Sequence, residues 1–195
     1  MAGRRGTTAA GGVDDGIGGG VLASYFAVTL LWGLNWPAMK VVVSEVDPWT
    51  FRTFVLVLAA ATLFAIARAT GQRLALPRHL RLAILLPAAT VTGWHIFSAY
   101  GLTFIGGGRA AIIAFTMPFW TMLLSLWWLG ERPTPRRLAA LAMGMVGLAL
   151  LVLDARAAMA AAPLGVAFML AAALSWATGT VAVKARDWRV SPLVL

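Results

Sequence analysis

The chain has 195 residues, of which 61% are hydrophobic and 12% charged, and its mean hydropathy is +0.84. Soluble domains run near 45–50% apolar and about 25% charged, so soluble enzymes and nucleic-acid binders are largely excluded: too little polar surface would remain to cover a water-soluble fold. The net charge of +9 does not reverse this, because Lys and Arg are dispersed between apolar runs instead of gathering on one face, and with no cysteine there is no disulfide, thiolate metal site or cysteine nucleophile.

The first 20 residues are rich in glycine, carry Asp14 and Asp15, and read as a disordered cytoplasmic tail. Residues 16–20 resemble a fragment of a dinucleotide loop, but no strand precedes them, and a flexible linker is the simpler reading. Six apolar runs follow, at 21–43, 51–67, 80–102, 110–129, 138–153 and 163–183. Crossing a bilayer core of roughly 30 Å takes about 20 apolar residues, so each run is a candidate span. The first is longer than a signal-peptide core and lacks a small-residue cleavage site, which favours its retention. The runs are continuous instead of alternating, which excludes a β-barrel. The fold class expected is all-α, a polytopic bundle of transmembrane helices.

Twelve of the sixteen Lys and Arg residues fall on one side of this arrangement, beside spans one and six and between spans two and three and spans four and five; Lys40, Arg52, Arg109 and Arg156 fall on the other. Cytoplasmic loops carry the basic excess, which places the N-terminus in the cytoplasm of an inner-membrane protein.

Trp32, Lys40 and Pro48 recur as Trp176, Lys184 and Pro192 at a constant offset of 144 residues (176 minus 32), and Lys40 and Lys184 are the chain's two lysines. Leu30, Ala38 and Val46 against Leu174, Ala182 and Val190 extend the match. Five spans separate the copies, so the second enters the membrane in the opposite sense. That is the inverted-repeat plan of many secondary transporters, whose substrate site lies near the midplane between repeats. The organisation expected is a tail at 1–20, a five-span repeat at 21–153, and the start of an inverted second repeat at 163–195 that would need roughly 100 further residues for completion.

The run from Trp32 through Gly33, Leu34, Asn35, Trp36, Pro37, Ala38 and Met39 to Lys40, then Pro48 with Phe51 and Arg52, then Pro118, then Leu129 to Thr134 with Gly144 and Gly147, resembles the EamA-type family of drug/metabolite transporters. The resemblance covers about 21–153 as one five-span unit and 165–195 as the start of a second. It implies a ten-span exporter or exchanger of small metabolites, with both termini cytoplasmic and a central cavity lined by both repeats.

Ionisable groups inside a bilayer are costly and mark candidate sites. All seven acidic residues are assigned to tails or loops, which counts against a carboxylate-driven antiporter. His95 lies about 6 Å from the centre of span three; it either binds substrate or is a neutral imidazole bonded to a neighbouring helix. Asn35 is expected at a similar depth, and Trp36, Trp120 and Trp176 complete the candidate substrate site. Pro37 and Pro118 are candidate helix kinks, either cavity-lining unwound points or packed bends. Lys40 and Lys184 are either snorkelling anchors or groups at opposite mouths that attract anionic substrates. Ala140, Gly144 and Gly147 suggest close helix packing, and Glu131 with Arg132 a solvated loop pair.

The reading is a secondary transporter of small organic metabolites working by alternating access, with the bilayer and a small-molecule substrate as partners, no nucleic acid, and no catalytic residue, metal or cofactor. The alternatives are a truncated, non-transporting membrane protein and a half-transporter active as a homodimer if the chain is complete. A membrane hydrolase using Ser98 and His95 is a third, without an acidic partner or a nucleophile motif.

Overall fold

A computed structural model describes residues 19–72 and 78–188. The expected tail lies outside them except for Gly19 and Gly20, as do Val190 and Pro192 of the repeat. Among the described residues the chain is all-α, a form in which the backbone satisfies its own hydrogen bonds within each segment. The helices are α1 (Gly19–Glu45), α2 (Pro48–Ala69), α3 (Leu85–Phe104), α4 (Gly107–Ala114), α5 (Met117–Leu124), α6 (Pro135–Ala160) and α7 (Pro163–Lys184), with a short 3₁₀ turn at Arg78–Leu80.

Five segments are long and apolar enough to cross a membrane: α1, α2, Gly107–Leu129, α6 and α7. The third expected span, α3, is fully helical but is not among the five. Thr90, Thr92, Trp94, His95, Ser98, Tyr100 and Thr103 dilute it, and Pro87, Trp94, Ser98, Ala99, Gly101 and Leu102 are buried. A helix sheltered by its neighbours tolerates polar groups that lipid would reject.

The chain divides into two compact units, Met1–Asn35 and Trp36–Leu195, the boundary falling within α1. Residues 19–35 of the first are exposed throughout, and the hydroxyls of Ser24 and Thr29 donate to their own helix at Gly20 and Tyr25. The second unit is organised on α3 and α7. Close approaches between Gly101 and Met169, Gly93 and Ser175, and the neighbourhoods of Thr90 and Gly179 run in opposite chain directions, so the two helices pack antiparallel. Ala172, Ala173 and Ala177 are fully buried on α7; small residues let backbones approach where packing replaces a hydrophobic drive. Phe168 stacks on Tyr100 and Phe104 along the same seam, with ring centroids 5.8 and 6.0 Å away.

Local signals explain the helix ends. The Asp47 carboxylate accepts from the N–H groups of Trp49 (2.9 Å) and Thr50 (3.3 Å), with Pro48 opening α2, a cap followed by a proline that needs no partner. Thr134 caps α6 before Pro135. Near Pro118 the helix breaks between α4 and α5: Pro118 has no N–H for the carbonyl of Ala114, and the Thr116 hydroxyl donates to Ile113 O at 2.7 Å.

Four expectations meet the structure differently. The unwound point suggested at Pro37 is not there, since α1 runs continuously through it; one lost hydrogen bond does not unwind a helix whose flanking turns remain bonded. The fifth span is longer than 138–153, and α6 takes in Asp154 and Arg156 because the alanines at 155, 157, 158 and 160 sustain the helix. Asp154, and Glu45 at the end of α1, are therefore helical instead of loop residues. Finally, among the described residues nothing packs on Gly144 or Gly147: a Cβ at either would meet nothing within 4 Å.

Candidate functional site

The cap at Asp47 sets the register of α2 and so places Arg52 one turn in, where it is 5% exposed. Its Nε donates to the His95 carbonyl at 2.8 Å and its Nη2 to Ser98 Oγ at 2.8 Å, and Nη2 lies 3.7 Å from Met39 Sδ. The guanidinium carbon stands 4.9 Å from the Phe51 ring centroid. Arg52 thus ties α2 to α3 and to the end of α1 through neutral partners. Ser98 Oγ itself donates to the His95 main-chain oxygen at 3.3 Å, so the hydroxyl is directed to the backbone and not to the imidazole, which leaves the hydrolase reading without its geometry. The Nδ1 of His95 is buried without a hydrogen-bond partner among the described residues, as is Nε1 of Trp36.

Lys40 donates to Leu102 O at 2.6 Å. That carbonyl is in the last turn of α3, where four carbonyls lack intrahelical partners and the helix dipole favours a cation. Trp36, 4% exposed, meets Trp94 edge-on at 6.2 Å, and Trp94 lies 5.2 Å from Trp176. These three indoles form a ladder from α1 through α3 to α7. Trp120 donates to Thr116 Oγ1 at 3.2 Å and so braces the break between α4 and α5.

Trp176 also borders a cavity of about 800 Å³. Phe115 and Thr121 line it with Met117, Pro118, Met122 and Ser125 from the broken helix; Arg137, Ala140, Leu141, Gly144, Met145 and Leu148 from α6; and Trp176, Thr180 and Lys184 from α7. Glu131, Arg132 and Pro133 border one end. There the Lys184 ammonium pairs with the Glu131 carboxylate, both about half exposed. The segment before Glu131 makes this possible: a single π-helical turn, Ser125–Leu129, ends at Gly130 with φ 67°, a left-handed conformation that a side chain would strain. Exposed ion pairs contribute little to stability, so this one can open at small cost.

Of the candidate site residues named from sequence, Trp176, Pro118 and Lys184 line the cavity, as do Ala140 and Gly144, expected as a packing face, and Glu131 and Arg132, expected as a solvated loop pair. Trp36 reaches it indirectly through Trp94, and Trp120 stands on its wall helix. Only the main-chain oxygen of His95 joins Arg52 and Ser98 in a separate polar node, Lys40 caps α3, and Asn35 belongs to the first unit. Sequence reasoning missed Arg52, which was assigned to the outer side as a topology charge; a lone cation one turn inside an apolar run was the available signal. It also missed Arg137 and the methionines of the cavity, because nothing in the sequence says which side of a membrane helix faces a neighbour.

The EamA-like transporter family profile matches residues 19–153. The chain is 29% identical over 171 residues to the uncharacterized transporter YoaV of Bacillus subtilis strain 168, covering 84% of this chain and 57% of that one. It is 25% identical to the uncharacterized transporter YvbV of the same organism, covering 85% and 54%. To the probable amino-acid metabolite efflux pump of Escherichia coli strain K12 it is 29% identical, covering 83% and 52%. The chain thus spans about half the length of these relatives, and no solved structure matches it. The family match over most of the helices, together with five helices able to cross a bilayer, identifies the chain as a multi-pass membrane protein belonging to the EamA-like transporter family.

Proposed function

We propose that this chain carries small organic metabolites across the inner membrane by alternating access, with its N-terminus cytoplasmic. The observation that carries the reading is the cavity of about 800 Å³ bordered by α5, α6 and α7, with the exposed Lys184–Glu131 pair at one end. Its volume is in the range of small-molecule sites. Two of its walls belong to the 21–153 repeat, and the third, α7, opens the inverted repeat; rocking of one against the other would break the ion pair and expose the cavity to one side at a time. The relative named as an amino-acid metabolite efflux pump makes amino-acid derivatives the first solutes to test and export the first direction. In the second reading a further copy of the chain supplies the opposite wall; α6, on which only Met159 is buried, offers it a face.

Vesicles holding the protein, loaded with a panel of radiolabelled amino-acid derivatives, are expected to release at least one saturably. Thr180→Trp, which places an indole in the cavity, is expected to cut that flux about tenfold or more. Flux equal to that of empty vesicles for every solute would contradict the proposal, and crosslinking of the active protein to a dimer would favour the second reading.

A further inference from the structure

The cavity is polar at one end only, and its register along the helices shows this. On α6 it runs from Arg137 to Leu148, about 16 Å at 1.5 Å per residue, and on α7 from Lys184 back to Trp176, about 12 Å. Arg132 and Arg137 sit with the Lys184–Glu131 pair at one end, while Trp176, Met145 and Leu148 surround the other. Lys184 and Glu131 neutralise each other, leaving two guanidinium groups as the net charge of that end. Topology alone accounts for basic residues at this end of the helices, but it asks nothing about where they point; Arg132 and, in the first turn of α6, Arg137 border the cavity, whereas Arg136 beside it does not.

We infer that the cavity takes amphipathic anions: ligands up to about 16 Å long with a carboxylate or similar head on Arg132 and Arg137 and an apolar body against Met145, Leu148 and Trp176. Guanidinium groups match a carboxylate through paired N–H donors, and methionines adapt to varied apolar shapes. This inference rests on the carrier reading for its biological use but not for its test. A soluble organic acid and an anionic lipid share the chemistry, and the two sources are separable.

The test is equilibrium binding of three probes of one shape, 4-phenylbutyrate, 4-phenylbutanol and 4-phenylbutylamine, to the protein in phosphatidylcholine nanodiscs at pH 7, corrected with protein-free discs. The acid is expected to bind about tenfold more tightly than the alcohol, and the amine more weakly than either. Arg132→Gln with Arg137→Gln is expected to abolish that order by bringing the acid's affinity to within about twofold of the alcohol's, and a thermal midpoint within about 2 °C of the parent protein shows that the variant is folded. Equal binding of acid and alcohol, preference for the amine, an order unchanged in the variant, or no saturable binding of any probe would overturn the inference. Phosphatidylglycerol in the discs that displaces the acid identifies a lipid as occupant; binding that is indifferent to it identifies a soluble acid. Acid-selective binding without flux across vesicles would remove the carrier reading alone, and flux of neutral solutes without acid selectivity would remove this inference alone.

Discussion

Arg52→Ala is expected to lower the stability of the protein by about 3 kcal/mol, more than any other substitution of a polar side chain described here. Hydrogen bonds to charged groups are worth about 1.5–3 kcal/mol each, and Arg52 makes two at 2.8 Å from a site only 5% exposed. Part of that gain is offset in the native protein by the cost of burying a guanidinium among neutral groups, which is why the expected loss lies nearer the value of one and a half bonds than two. For a chain of this size the loss corresponds to a fall of about 6–12 °C in thermal midpoint, measurable by tryptophan fluorescence in detergent. Arg52→Met, which keeps most of the side-chain volume and removes the charge together with its bonds, is expected to cost about half as much. Ser98→Ala is expected to cost about 1 kcal/mol and to add almost nothing in the Arg52→Ala background, because both changes break the same bond. A midpoint that moves by less than about 2 °C in Arg52→Ala would show that the node does not hold α1, α2 and α3 together.

The second large effect is expected at Gly107, where α4 starts against the second unit's part of α1. A Cβ there would lie 2.9 Å from Trp36 O and 3.2 Å from Trp36 C. Both are backbone atoms and cannot rotate aside, so α4 itself must shift; Gly107→Ala is expected to cost about 2 kcal/mol, within the usual range for overpacking. Gly165→Ala on α7 meets Ile105 Cγ2 at 2.7 Å and Phe104 Cβ at 2.9 Å and is expected to be comparable. Gly101→Ala meets Met169 Sδ at 2.6 Å and Cγ at 2.8 Å, and Met169 is fully buried, so the whole side chain must repack; a flexible thioether repacks at less cost than backbone, and alanine is favoured over glycine inside a helix by about 1 kcal/mol, so the net cost is expected near about 1 kcal/mol. The same thermal measurement checks the order. Gly101→Ala proving the worst of the three would mean that the α3–α7 seam, and not the contact of α4 with Trp36, limits packing.

The helices were legible in the sequence because their boundaries are written in local chemistry. Asp47 and Pro48 announce α2, the apolar run from residue 163 becomes α7, and Pro118 marks the broken helix within two residues of where it breaks. Which way each helix turns was not legible. In water an apolar stripe points to the core, but here lipid and core are equally apolar, so periodicity carries no direction. That is why the sequence reads Arg52 as a topology charge, says nothing of the contact between Lys40 and the α3 carbonyl, and does not show that Ala140 and Gly144 line the cavity. The better guide was small residues against polar ones: α3 and α7 carry the glycines that meet other side chains, Gly93, Gly101, Gly165 and Gly179, and α3 holds the polar groups that only a sheltered helix keeps.

The chain contains no cysteine, so single cysteines can be introduced without a background to remove, and this allows the central claim to be tested directly. Thr180→Cys places a thiol in the cavity wall, and Leu150→Cys, on the outward side of α6, serves as the lipid-facing control. A membrane-impermeant maleimide is applied to sealed vesicles from either face in separate experiments. Alternating access requires that Cys at position 180 reacts from both faces and that the control reacts from neither. Labelling at 180 from one face only, or from none, would contradict a cavity that opens to each side in turn.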